Sequence, residues 1–399
     1  MGEKVSPFTP GSPVPVDLFV GREPQIQDII NSLEQTVSGK QKNIFLVGER
    51  GVGKTSIASF ARNWAEQKKD VIGIQVFLGG VNDLKELVRM IYEDILKVTK
   101  NEEWFTKIRN LFGNFINEVG LFGISVGFSP PKDNLDQLVR NFPESLNSIL
   151  INITEHKKGL FIVLDDLDEL SSSQDFANWY KSFVDKVATH YPKFPVILML
   201  IGLPHIIDEL SRLQPSLMRI FKVINLKKLS NENVKNFFVK AYEKAGITVE
   251  DEALNIMVRY SGGLPVIMHE IGDAIFWVNS DGIIDVEDAL NGMIITAKNI
   301  GEKYLEPKVY RTVRSKKYRS ILRKMASREH PLTLCFARGE VTKFLTEGEK
   351  KAFSNFLRRM REIGIIKYSR ELGRGNYCFV NNIYPVYMYL EAKTHFEKK

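Results

Sequence analysis

The chain has 399 residues, of which 44% are hydrophobic and 26% charged, the proportions of a globular protein with two or three domains, each large enough for its own core. No apolar stretch approaches the roughly 20 residues that span a bilayer, and the N-terminus Met1-Gly2-Glu3-Lys4-Val5-Ser6-Pro7 has no apolar signal core, so a cytoplasmic protein with no membrane partner is expected. The net charge of +7 is unevenly spread: residues 301–399 hold 23 Lys and Arg against 10 Asp and Glu, a net of +13, which leaves −6 for residues 1–300. A polyanionic partner is therefore expected for the C-terminal quarter and not for the body.

Residues 1–17 carry four prolines between Pro7 and Pro15 and read as an extended arm. Leu18-Phe19-Val20-Gly21-Arg22-Glu23 follows, then a helical spacing of Ile26, Ile29, Ile30 and Leu33. The β-branched and aromatic run Asn43-Ile44-Phe45-Leu46-Val47 predicts a buried strand, and Ser56 to Ala61 continues as a helix. Between them Gly48-Glu49-Arg50-Gly51-Val52-Gly53-Lys54-Thr55 spells a complete phosphate-binding loop. In such a loop the glycines let backbone N–H groups turn inward around the β-phosphate at a helix N-terminus, Ser56 continuing the first turn. Lys54 reaches the β- and γ-phosphates, and the Thr55 hydroxyl ligates Mg²⁺. The chain is thus expected to bind ATP with Mg²⁺.

Val71 to Phe77 predicts a second strand and Leu84 to Leu96 a helix. The glycine-spaced segment Val119 to Phe128 reads as a hairpin that either packs over its own core or projects to grip a partner. The wholly apolar run Leu160 to Leu164 predicts a central parallel strand, so Asp165 emerges at its C-terminal end beside the phosphates, as a Walker B segment requires. Asp165 is the expected Mg²⁺-side carboxylate and Asp166 the group that orients the attacking water. Related hydrolases mostly place Glu at that second position; the shorter Asp predicts slow hydrolysis, with Glu169 as the alternative base. Val196 to Ile201 is a further buried strand. Strands alternating with helices imply an α/β core, a parallel sheet covered by helices over residues 18–226.

From residue 227 to 300 the pattern turns helical: Val234 to Ala245, Glu252 to Tyr260, and a helix after Gly262-Gly263-Leu264-Pro265, together a lid. Residues 301–312 read as a linker. Residues 313–399 read as a winged helix-turn-helix, with helices at Arg319 to Ser327, Glu340 to Leu345 and Glu347 to Ile363. The third helix buries Phe353, Phe356, Leu357, Met360 and Ile363 and presents Lys350, Lys351, Ser354, Asn355, Arg358 and Arg359, side chains suited to phosphates and base edges of duplex DNA. Strands at Gly364 to Arg370 and Asn376 to Val380 enclose a glycine turn tipped by Arg374, the expected wing. A protein-docking role for this domain is the alternative to DNA binding. Cys335 and Cys378 lack CxxC or His companions and read as core thiols, and the six histidines show no ligand spacing, so no metal other than Mg²⁺ is implied.

The order FVGRE, GERGVGKT, an apolar run ending Asp-Asp, a strand ending Ile201-Gly202, and GGLP within a helical bundle resembles the extended AAA+ ATPases, in particular archaeal-type ATPases, origin-recognition initiators and STAND signalling ATPases, from Leu18 to Ile300. The resemblance implies that Val20, Gly21 and Arg22 lie beside the adenine and that Pro265 packs on the base from the lid. Leu213 to Phe221 resembles the segment that presents an arginine finger to a neighbouring subunit; Arg219 is the candidate, with Arg212 behind it, and a homo-oligomer follows if it acts in trans. Two features depart from origin initiators. Gly262 to His269 contains no arginine sensor, and Gly202 stands where a polar sensor often lies. His269 is read as a packing residue, with a phosphate contact as its alternative. The expected protein is an ATP-hydrolysing switch, acting on DNA in replication, transposition or defence, or else a signalling ATPase whose winged helix docks a protein partner.

Overall fold

The computed structural model describes residues 5–12, 18–100, 102, 104–119, 125–311, 313–326, 334–369 and 371–397. The arm prolines at 13 and 15, residues 120–124 of the expected hairpin, residue 312, Ser327 and Arg370 lie outside them. The chain divides into two compact units, Arg22–Lys227 and Met1–Gly21 with Lys228–Lys399. Among the described residues no helix is long and apolar enough to cross a membrane.

The first unit is built on strands β1 (Lys42–Gly48), β2 (Val71–Phe77), β5 (Gly159–Asp165), β6 (Val196–Gly202) and β7 (Phe221–Leu226), with β3 (Ile116–Val119) and β4 (Ser125–Phe128) forming a separate antiparallel hairpin. The core sheet is parallel, in the order β2-β5-β6-β1-β7, the arrangement of a P-loop ATPase. Every residue of β5 and β6 is buried, which is why both read as unbroken apolar runs. β7 is absent from the sequence expectations. It lies at the edge of the sheet, with burial broken along Phe221–Leu226, and it follows directly on the finger-like segment, so no continuous apolar run marks it. In the hairpin, Phe128 is fully buried and meets the rings of Tyr92 and Phe112 at 5.7 and 5.2 Å, so its base packs on the unit's own core.

In the second unit, helices Asn231–Lys244, Asp251–Ser261, Pro265–Val278 and Val286–Ile300 form the lid, tied by the short parallel pair β8 (Thr248–Val249) and β9 (Ile283–Ile284). Gly263 has φ +71°, and a Cβ there would lie 2.3 Å from the Leu229 carbonyl oxygen, so the turn into Pro265 admits only glycine. The segment expected as a linker is helical over Gly301–Tyr310, of π type and containing Pro307; its first residue, Gly301, packs closely against the ring of Tyr387. The arm folds onto the lid: Phe8 is 4% exposed, edge-on to Tyr242 at 4.9 Å, and the Thr9 N–H donates to His269 Nδ1 at 3.0 Å. His269, itself 3% exposed, is thus occupied by the arm as a packing residue.

The C-terminal part folds as helix Lys316–Ala326, β10 (Cys335–Ala337), helices Arg338–Thr342 and Glu347–Glu362, β11 (Ile366–Tyr368) and β12 (Asn376–Phe379), with antiparallel order β10-β12-β11. This small sheet and the preceding helices make the winged helix. Thr346 and Glu349 form a capping box that starts the long helix. Burial alone would raise the Glu349 pKa, but Lys324 at 2.7 Å, Ser320 at 2.6 Å and the Thr346 N–H hold it down at about 2. A last helix, Tyr384–Glu397, is also absent from the sequence expectations, because its aromatic-rich start shows no amphipathic spacing. The cysteine reading is corrected: Cys335 and Cys378 are joined in a disulfide. They face each other across β10 and β12, and because the adjacent Phe379 N–H donates to the Leu334 carbonyl, theirs is the non-hydrogen-bonded pair, where antiparallel strands approach most closely. A separation of 43 residues conceals that pairing from sequence spacing.

Burial lowers the His269 pKa from 6.5 to about 4. Between those values the unfolded chain takes up a proton that the folded chain excludes, so this contribution to stability is complete above pH 6.5 and is lost as the pH falls through about 4. Chemical denaturation of the full chain across this range should show that decline, and His269→Phe should flatten it.

Candidate nucleotide-binding site

The phosphate loop leaves the C-terminal end of β1 and enters helix Lys54–Lys69. Gly51 and Gly53 hold φ of +79° and +94°, values that other residues adopt only with strain. Gly53 supplies the helix N-cap without a side-chain hydrogen bond, so the first-turn N–H groups are not capped from that position, the arrangement in which a helix N-terminus can receive an anion. Gly48 is needed for a different reason. A Cβ there would meet the Leu226 carbonyl oxygen of β7 at 2.7 Å. The Lys54 ammonium donates to the carbonyls of Gly48 at 2.8 Å and Glu49 at 3.1 Å, folded back along the loop it serves. Burial lowers its pKa, against the opposing pull of Asp165 and Asp168.

Asp165 closes β5, is 4% exposed, and lies within reach of the loop because only β6 separates β5 from β1. Its carboxylate accepts hydrogen bonds from the Thr55 hydroxyl and from Gln75 Nε2, the latter at 3.0 Å. Burial raises its pKa, and these two donors work against that rise. Asp166 follows at once, exposed and with φ +64°, so the backbone turns sharply at the strand end and its carboxylate points away from the β5 interior. A Cβ on Gly79 would lie 3.3 Å from Asp166 Oδ2. Arg50, at the loop tip, pairs with Asp168 at 3.2 Å.

The pair Thr55 and Asp165 suits Mg²⁺, a hard cation that takes one or two protein oxygens and completes its shell with phosphate and water. Among the described residues no group of three or more His, Cys, Asp or Glu forms a cage that would hold a metal without a nucleotide.

Arg22 is expected beside the base, but its side chain has another task. It is 6% exposed, and its guanidinium donates to the Val52 carbonyl at 2.9 Å, bracing the phosphate loop from behind. The preceding Val20 and Gly21 belong to the other unit. Val20 is buried, and a Cβ on Gly21 would strike the Asn233 side chain at 2.1 Å. Pro265 opens its lid helix in that same unit.

In the winged helix, Lys350, Lys351, Ser354, Asn355, Arg358, Arg359 and Arg374 are all exposed. Sequence reasoning misses Arg338, which donates to Ser354 Oγ at 2.8 Å and so adds a cation to the outward face of the helix Glu347–Glu362. It follows directly on β10, a three-residue strand without a sequence signal, and that position conceals it.

A family model for the AAA ATPase domain matches residues 18–177, from FVGRE through the loop, Asp165 and Asp166. The chain carries an AAA ATPase domain. An uncharacterized HTH-type transcriptional regulator of Methanocaldococcus jannaschii is 21% identical over 266 residues, a match that spans 62% of this chain and 60% of that protein, less than two thirds of its length. Among solved structures, a Walker-type ATPase of Pyrococcus abyssi aligns with a TM-score of 0.55 at 15% identity, covering 93% of this chain and 96% of its own. The ORC2 protein of Aeropyrum pernix, solved in ADPNP and ADP complexes, aligns at 0.60 and 11% identity over 98% and 96%. At these identities the likeness is one of fold.

In chain order the fourth strand of the core sheet, β6, ends in Gly202, where Ile206 would lie 2.6 Å from a Cβ, so this strand end is packed by an apolar side chain. Arg219 ends the short turn Pro215–Arg219 before β7 and is exposed, as is Arg212 at the end of helix Pro204–Leu213. Arg22→Met should leave the Val52 carbonyl without its charged donor and weaken ATP binding by the AAA domain about tenfold, measured by titration with a fluorescent analogue.

Proposed function

We propose that this protein is an ATP-hydrolysing molecular switch that binds duplex DNA through its winged helix. The observation that carries the first half is the hydrogen bond from the Thr55 hydroxyl to the buried Asp165 carboxylate beside a complete phosphate loop. In this reading the loop from Gly48 to Ser56 wraps the phosphates. Lys54 leaves the Gly48 and Glu49 carbonyls for the β- and γ-phosphate oxygens, and Thr55 and Asp165 hold Mg²⁺. Bound there, the cation would neutralise charge on the β- and γ-phosphates. Asp166 orients the attacking water and draws its proton, the bond between the β–γ bridging oxygen and the γ-phosphorus breaks, and ADP and phosphate leave. On the AAA+ resemblance Arg219 serves a neighbouring protomer.

The second half rests on the net charge of +13 over residues 301–399 together with the exposure of every cation on the outward face of the long helix. The HTH-type description of the Methanocaldococcus jannaschii relative accords with it. Protein docking is the second reading, favoured by the pairing of Arg358 and Arg359 with Glu362 at 3.9 and 3.6 Å, which leaves part of the charge satisfied within the helix.

Asp166→Asn should retain ATP affinity and lower turnover at least tenfold, followed by phosphate release; wild-type turnover would overturn its role. Mixing it with Arg219→Ala protomers should restore part of the activity if the finger acts in trans. Fluorescence anisotropy with duplex DNA, in ATP and in ADP at two salt concentrations, should show salt-sensitive binding. Neutralising Arg358, Arg359 and Arg374 should make the salt slope shallower by about one for each of them that meets a phosphate. Absence of binding in both nucleotide states would favour docking of a protein.

A further inference from the structure

β2 reads Val71-Ile72-Gly73-Ile74-Gln75-Val76-Phe77, and Gln75 is its one polar side chain. A primary amide in a strand flanked by helices is costly unless its hydrogen bonds are made. Both ends of this one are used. Gln75 Oε1 accepts from the Ser59 hydroxyl at 2.8 Å, and Nε2 donates to Asp165 Oδ2 at 3.0 Å. In register Gln75 lies opposite Val163, two residues before Asp165, so its side chain reaches along the sheet face to the strand end.

Asp165 settles the direction of the amide. An ionised carboxylate only accepts, so the NH₂ group must face it, and Oε1 is left to accept from the Ser59 hydroxyl, which could serve either end of an amide. Ser59 is four residues beyond Thr55 on the helix that the phosphate loop begins, and residues so spaced share a face. That face therefore holds Asp165 at two points, directly through Thr55 and at one remove through Ser59 and Gln75.

We propose that Gln75, anchored at its carbonyl oxygen by Ser59, is a positioning residue that holds the Asp165 carboxylate in an arrangement able to receive Mg²⁺ beside Thr55. The inference rests on the metal assignment made under the proposed function. It goes beyond it in assigning a role to a strand residue outside both nucleotide motifs, through a chain that joins the phosphate-loop helix to the end of β5. Outer-shell partners of this kind change metal affinity by about 10- to 100-fold when removed.

The test uses the full chain and the dissociation rate of a fluorescent ATP analogue across a Mg²⁺ titration that starts from chelator. Gln75→Met keeps the length and the packing without donor or acceptor, and Gln75→Glu keeps the shape but turns an acceptor on Asp165. Both should dissociate nucleotide at the wild-type rate in chelator and require about tenfold or more Mg²⁺ for half of the slowing. Ser59→Ala should have a smaller effect, and none when added to Gln75→Met. A wild-type Mg²⁺ half-point in both Gln75 variants, whatever their melting temperatures, would overturn the positioning role. If the wild-type protein itself releases nucleotide independently of Mg²⁺, the assignment of Thr55 and Asp165 falls, and the positioning role with it.

Discussion

A carboxylate buried at the end of an apolar strand must have donors around it, and the nucleotide-binding unit is arranged so that Asp165 has them. Thr55 comes from the helix after β1 and Gln75 from β2, so three separate chain segments converge on one side chain. The strand order makes this possible. With β6 between β5 and β1, and all strands parallel, the phosphate loop and Asp165 emerge on the same edge of the sheet. A slip of one residue in β5 would turn Asp165 to the opposite face, away from Thr55.

The loop in turn is held by groups outside its own motif. Arg22 braces the Val52 carbonyl, β7 presses on Gly48, and Lys54 rests on two loop carbonyls. A loop so braced has less backbone freedom left to lose, which reduces the ordering that a phosphate would otherwise impose on binding. The second unit is organised by close approach of another kind. Glycines at 263 and 272 of the lid and at 301 in the helical segment after it let the Leu229 backbone, the Phe8 ring and the Tyr387 ring come into contact with backbone that a Cβ would block. Through them the N-terminal arm and the C-terminal helix are both packed into the unit that carries the lid and the winged helix.

The elements most legible in the sequence are those whose signal is local. The phosphate loop, the all-apolar β5 and β6, and the 3–4 spacing of Phe353, Phe356, Leu357 and Met360 each follow from a few neighbouring residues, and each is where that pattern puts it. The misses share a different cause. β7 is an edge strand whose broken burial resembles a loop, the helix Tyr384–Glu397 has aromatic residues around much of its circumference, and the Cys335–Cys378 bond joins positions 43 residues apart. None of these can be found without knowing which segment lies opposite.

The sequence by itself determined that the chain has a phosphate-binding loop, an acidic strand end and a basic C-terminal helix face, because glycine torsions, apolar runs and helical periodicity are properties of short stretches of chain. Only the tertiary structure decided what surrounds them: that Arg22 turns to the Val52 carbonyl, that His269 accepts from the arm, that the two cysteines meet, and that Gln75 bridges Ser59 and Asp165. The reason is physical. A side chain's hydrogen-bonding partner is set by which backbones the fold brings within about 3 Å, and that distance is fixed by strand order and helix packing, not by separation along the chain.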